Sequence, residues 1–373
     1  MRYTPLLAVK HRVAVGQPLP FNVFNRDHTL LLAKSQVIDS AEQLQALFDR
    51  GMLVDLAELY RDAGAIAQAP RELLPALWAD NLAQISQALR RADSPTFREA
   101  IDETSAPVQA LIARDPDLAI FQVMRHEASA HVQYGLDHSL HAAIVCRLVA
   151  QRLAWSPDEA TRAFKAALTM NISMLELQGQ LASQVSPPTE RQRREIRSHP
   201  IRSRDMLIAA GITDVDWLRA VEQHHEKPDA SGYPLGLPLQ DELATLLQRA
   251  DIYTAKLSPR LGREAVAADR AGREIFMSDP SSPINAALVK EFGVYPPGSF
   301  VRLHCGETGI VVQRGPTVMA PVVAALTNPQ GLPHERPVRR DTTERAYAVV
   351  GIVPAKAVST RMKPEQLAEL VTR

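Results

Sequence analysis

From Ser156 to about Gly293 the sequence marks the start and stop of one helix after another, and this punctuation limits the fold more than any other feature. Ser156-Pro157-Asp158-Glu159 is a capping box with proline at the first helical position, and it launches DEATRAFKAALTM. Pro187-Pro188 breaks the chain, Thr189 is placed to cap ERQRREIRSHPIRSRDMLIAAG, and Gly211 is placed to end it. DVDWLRAVEQHHE and DELATLLQRADIYTAKL are two further helices. Upstream, RELLPALWADNLAQISQALRRA spaces its apolar residues at three and four. The expected fold is mainly α, with an all-helical core over residues 125–293 and a helical connector over 70–124.

Both ends read differently. Over residues 1–66, FNVFNRDHTLLLAK holds two strand-like runs around the turn cluster Asn25-Arg26-Asp27-His28. SAEQLQALFDRG follows as a helix capped by Ser40 and ended by Gly51, so a small mixed α/β module is expected. At GVYPPGSFVRL the helical pattern stops. SFVRL, TGIVVQRG, APVVAALTN and AYAVVGIV are short β-branched runs, which predict a small β module of about four strands over 294–373, closed by a helix at PEQLAELVTR. Lys+Arg and Asp+Glu both number 42, so net charge gives no argument for a nucleic-acid or membrane partner. Only Cys146 and Cys305 are present, which excludes a disulfide framework. No stretch approaches the ~18 apolar residues of a spanning helix. A soluble cytoplasmic protein is the expectation.

Within the helical core stand His131, His138, His141, His199, His224 and His225. Adjacent histidines on a helix point roughly 100° apart and cannot serve one centre unless the helix ends there. Lys227-Pro228-Asp229 and Ser231-Gly232-Tyr233-Pro234 supply that ending. His224 and His225 can then converge on an ion, imidazole being the commonest metal ligand. The alternative is a helix end followed by a turn, with histidines that only pack.

HHEKPDASGYPLGLPL resembles the signature of HD-GYP domains, with Ala230 where that family usually has glycine. DHSLHAAIVCRLVA, RSHPIRSRDML and RADIYTAKLSPRLGR resemble the family's other ligand helices, in the same order, and EFGVYPPGSFVRL a tail often joined to them. The resemblance spans residues 125 to 315. It implies an HD-type helical bundle, hydrolysis of cyclic di-GMP with two or three iron- or manganese-type ions, and His138, His199, His224, His225 and Asp251 as metal ligands. It also implies phosphate contacts at Arg260 and Arg263, beside the Gly232-Tyr233-Pro234 turn.

The same resemblance exposes departures. Along FKAALTMNISMLEL, Met170 and Asn171 stand at the family's His-Asp pair, and Ser173 and Met174 replace a Gly-Lys. Tyr134 occupies the place of a glutamate that some members use for a third ion. A neutral carboxamide cannot bridge two cations as a carboxylate does, and a thioether suits iron or manganese poorly. The lysine missing at 174 would bring positive charge close to a phosphate. The expectation is a degenerate member that holds at most one divalent ion of Fe, Mn or Zn type, or none. It would bind cyclic di-GMP or a related phosphate ligand, or a protein partner, and is compatible with a homo-oligomer. An active metal-dependent phosphodiesterase and a non-catalytic helical scaffold are the alternatives.

Overall fold

The computed structural model describes residues 3–60, 62–125, 131–238, 241–358, 366 and 370–371. The chain forms two compact units, Met1–Gln84 with Ala106–Arg114, and Ile85–Ser105 with Asp115–Arg373.

In the first unit, strands β1 (Tyr3–Pro5), β2 (Val23–Phe24), β3 (Leu30–Leu32) and β4 (Leu53–Asp55) form an antiparallel sheet in the order β1-β4-β2-β3. The β2–β3 turn is the cluster read in the sequence, and His28 takes a left-handed conformation there, φ +67°. Helix α1 (Ala41–Asp49) is capped by Ser40, whose hydroxyl accepts the Gln43 N–H at 3.1 Å. Short helices α2 (Leu56–Leu59) and α3 (Ala63–Ala67) follow. Phe21, Val23, Ile38, Val54 and Leu59 close a small core.

The helices that follow are α4 (Leu74–Arg90), α5 (Phe97–Arg114), α6 (Pro116–Met124), α7 (His131–Arg152), α8 (Pro157–Thr169), α9 (Leu175–Ala182), α10 (Glu190–Ala209), α11 (Val215–Gln223), α12 (Glu242–Leu257), α13 (Ala268–Ser278) and α14 (Pro283–Phe292). The second unit is built around α7. Residues 142–146 of α7 and Val149 are fully buried, so this helix is apolar on every side, as a central bundle helix must be. Its neighbours are α8, α9 and α12. Ala160, Ala163, Ala166 and Ala167 put small side chains on the buried face of α8 and let the two backbones approach. A Cβ at Gly135 would lie 2.5 Å from the Leu175 carbonyl oxygen, so glycine is needed where α7 meets the start of α9. Ser156 makes the capping box read in the sequence, and Thr189, read as a cap, makes a second one with Gln192.

Two expectations need correction. FKAALTMNISMLEL is not one helix: α8 ends at Thr169, a 3-10 turn covers Ile172–Met174, and α9 begins at Leu175. Met170 and Asn171 therefore sit at a break. The C-terminal module also has five strands rather than about four: β5 (Phe300–Leu303), β6 (Thr308–Gln313), β7 (Val322–Thr327), β8 (Pro333–Asp341) and β9 (Val349–Ile352), ordered β8-β7-β6-β5-β9. β8 is PHERPVRRD, an edge strand with two prolines and mostly exposed side chains, a pattern without an apolar alternation to betray it. Arg314 of the β module pairs with Asp117 of α6 and Glu291 of α14, and Gly298 packs on Phe121 and Met124. The terminal helix expected at PEQLAELVTR lies outside the described residues except for Gln366, Leu370 and Val371.

Candidate metal centre

Three imidazoles meet where α10 passes the end of α11. The ligand atoms of His199, His224 and His225 all lie within 4.8 Å of one another. His199 Nε2 and His224 Nε2 are 3.1 Å apart. The Nδ1–H groups of these two residues donate to carbonyls one turn back, His199 to Ile196 at 2.6 Å and His224 to Val221 at 2.7 Å. Each Nε2 is thereby left with a lone pair, and the two lone pairs face each other. Such backbone bonds are the usual way a protein sets the tautomer of a ligating histidine.

A proton does not readily fill the gap. Burial, followed by the charge of His225, holds His199 down at about 3. Burial likewise holds His224 well below its usual value and His225 below it. All three are neutral near pH 7. Nitrogen donors on one ion, with bonds of about 2.1 Å, stand roughly 3 to 3.5 Å apart. The His199–His224 spacing fits a single divalent cation held by His199, His224 and His225.

The loop after α11 sets these rings. The helix ends at Gln223, and His225 turns so that its ring centroid is 4.2 Å from that of His224 and 4.6 Å from Tyr233, stacked at 22°. Gly232 lies so close to residues 225–227 that a Cβ would meet the His225 carbonyl oxygen at 2.5 Å. Ala230 has φ +59°, the left-handed region that a glycine enters freely, which explains the glycine of the family signature. The Tyr233–Pro234 peptide bond is cis. Tyr233 is also buried enough that its phenol is pushed above its usual range, with the Asp251 charge adding to the effect.

Glu226 carries no apolar surface that would mark it in the sequence, yet it is 1% exposed. Its carboxylate accepts the N–H groups of Leu235 at 2.6 Å and of Gly236 and Leu237 at 3.1 Å. Gln248 of α12 donates to its carbonyl at 2.6 Å and more weakly to that of His224. Glu226 stands inside the His-His-Glu part of the signature but is given no role there, and Gln248 carries no sequence signal.

His138 and Asp251 form a second arm. His138 Nε2–H donates to Asp251 Oδ1 at 2.7 Å. Burial raises the Asp251 carboxyl, but the His138 hydrogen bond and the charges of His138, His225 and His224 outweigh it and hold it below the carboxylate range. Tyr134 stacks on His138 with ring centroids 6.2 Å apart and accepts the Arg260 Nε–H at 2.9 Å. Arg263 is turned back onto the end of α12, where it donates to the carbonyls of Ala255 and Ser258.

Met170 is fully buried and Asn171 is 1% exposed. Both polar atoms of the Asn171 carboxamide lack a hydrogen-bond partner among the described residues. Such an orphan costs about 1–3 kcal/mol unless something bound completes it. Two residues on, the Ser173 hydroxyl donates to the His199 carbonyl at 3.1 Å and pairs with Ser203 at 2.9 Å, which ties the break after α8 to α10.

The HD domain family model matches residues 122–275, the segment that carries every one of these groups. This segment carries an HD domain, and the chain as a whole is similar to cyclic dinucleotide phosphodiesterases. It is 27% identical over 324 residues to the cyclic di-GMP phosphodiesterase PA4108 of Pseudomonas aeruginosa, covering 83% of this chain and 73% of that protein. It is 24% identical over 242 residues to the 3'3'-cGAMP-specific phosphodiesterase 3 of Vibrio cholerae, covering 60% of this chain and 52% of that one. An HDG"Y"P protein of Bdellovibrio bacteriovorus, Bd1817, aligns with a TM-score of 0.49 at 14% identity over 77% of this chain and 97% of its own. Among the described residues, no helix is long and apolar enough to cross a membrane.

Proposed function

We propose that this protein is of the HD-GYP type, binds a cyclic dinucleotide, cyclic di-GMP or a close relative, and acts as a binding or interaction module whose hydrolytic chemistry is lost or strongly impaired. The observation that carries the reading is the buried Met170-Asn171 pair, with the Asn171 carboxamide unpartnered, where the family has a His-Asp pair. A neutral amide cannot neutralise two cations held close together, so a two-ion site loses its central anion. The remaining carboxylate, Asp251, is bonded to His138.

One ion fits His199, His224 and His225, and when bound it would polarise a phosphoryl oxygen as a Lewis acid. The chain's own part is binding and orientation. Backbone carbonyls fix two of the imidazoles, and Tyr233 backs the third. Glu226 holds the loop that carries Tyr233. This reading places the protein in the cytoplasm, where two unpaired cysteines suit the reducing environment. It also assigns the output to a protein partner rather than to a hydrolysed product.

Metal content and cyclic di-GMP turnover measured on one purified sample test the proposal. At most one ion per chain is expected, with ligand recovered intact. Turnover at the rate of an ordinary enzyme, rising with added manganese or iron, would instead select the second reading, an active phosphodiesterase. That reading is favoured by the facing imidazoles and by what the two curated relatives are named for.

A further inference from the structure

A cleft of about 990 Å³ lies within the second unit, bounded by α10, the 172–177 segment and the end of α4, and one of its lining residues, Ser173, donates its hydroxyl to the His199 carbonyl. Its lining is mixed, with Leu136, Ile172, Leu175 and Met206 as apolar members, and Met174 lines it where the resemblance implies a phosphate-binding lysine. Arg202 lines the same cleft from α10. It lies three residues after His199, so the two sit about 4.5 Å apart along the helix axis and within one turn. Of the other arginines on this helix, Arg191, Arg193 and Arg204 pair with Glu195, Glu190 and Glu222, and Arg194 and Arg197 do not line the cleft. Arg202 makes no hydrogen bond or ion pair among the described residues and is exposed to the cleft. Asp93, Glu176 and Glu195 also line the cleft, and Glu195, two turns back on the face of Arg202, is paired with Arg191.

We infer that Arg202 is the phosphate contact of this chain, and that it supplies from α10 the positive charge that Met174 does not supply from the 172–174 turn. The ligand class is a cyclic dinucleotide, with one phosphodiester toward the histidines and the other on the Arg202 guanidinium. A guanidinium grips two phosphate oxygens at once, so moving the cation to α10 also turns a point charge into a fork. The cleft is large enough for such a ligand, and Leu136, Ile172, Leu175 and Met206 offer apolar contacts to the faces of the bases. This inference rests on the binding function proposed above.

Titration calorimetry with cyclic di-GMP, at two salt concentrations, tests it on the full chain. Arg202→Ala is expected to weaken binding at least tenfold and to flatten its salt dependence, with an unchanged melting temperature. Arg193→Ala removes the same charge from the same helix away from the cleft and is expected to change affinity less than twofold. Adding Met174→Lys to Arg202→Ala is expected to recover part of the loss, which a merely structural role for Arg202 would not allow. If wild type binds and Arg202→Ala binds equally well, this inference fails and the binding function stands. If wild type binds no cyclic di-GMP at all, the proposed function fails and takes the inference with it.

Discussion

Ala230 is an alanine in a conformation that glycine adopts freely. The left-handed region costs an L-residue roughly 1–2 kcal/mol, while glycine brings an entropic penalty of about 0.5–1 kcal/mol. With φ at +59° the first effect wins. Ala230→Gly should therefore raise stability by about 0.5–1 kcal/mol, read as a higher urea midpoint at unchanged slope. A lower midpoint would mean that the loop has relaxed around the alanine. Asn171 poses the opposite problem: its backbone is unremarkable for a turn, but its carboxamide is buried without a partner. Asn171→Asp together with Met170→His should raise metal content above one ion per chain, because a carboxylate can hold two cations close. Elemental analysis still finding one ion or none in that double variant would show that the missing bridge is not what limits occupancy.

Between single residues and the bundle stands the segment from α11 to α12, which Glu226 holds in shape. Hydrogen bonds to a charged group contribute about 1.5–3 kcal/mol each before non-additivity, and Glu226 makes three to backbone N–H groups that its removal would leave unpaired. Glu226→Ala should destabilise the protein by about 3 kcal/mol and weaken metal binding at the histidines, since the Tyr233–His225 stack depends on the same loop. A loss below about 0.5 kcal/mol in chemical denaturation, a surface-like value, would contradict this.

Much of this segment is legible in the sequence, because Pro228, Gly232 and Pro234 are turn residues whose positions dictate where the helix stops. The capping boxes at Ser156 and Thr189 are legible for the same local reason. The break after α8 is not. MNISMLEL has helical spacing and neither proline nor glycine at the break, and its interruption depends on long-range bonds from Ser173 to Ser203 and to the His199 carbonyl. β8 was hidden because an exposed edge strand needs no apolar alternation. The family resemblance puts Arg260 and Arg263 near the site, but it does not reveal that Tyr134 and the α12 carbonyls engage them.

The bundle brings its site together from α7, α10, the end of α11 and α12, so protonating the site couples to the stability of the whole second unit. His199 is held at about 3 in the folded protein against about 6.5 in an unfolded chain. Its neutral form is the one that folds, so its contribution is fully present above pH 6.5 and is lost as pH falls toward 3. At pH 5 the loss from His199 alone is about 2 kcal/mol, from 1.36 kcal/mol for each unit below 6.5. His224 and His225 are shifted the same way and add to the loss, by less than three independent groups would, because the first proton taken up repels the next. Asp251 is held below its usual value, so its contribution disappears only in more acid solution, below the ordinary carboxylate range. Metal-free protein should thus lose stability steadily from pH 6.5 to 4, and metal-loaded protein should lose it more steeply, since protons also displace the ion. Urea midpoints at pH 7.5, 6 and 5, with and without chelator, would measure both slopes. Equal midpoints at pH 7.5 and 5 in the metal-free protein would mean that the three imidazoles are not buried as neutral groups, and the single-ion centre built on their facing lone pairs would go with them.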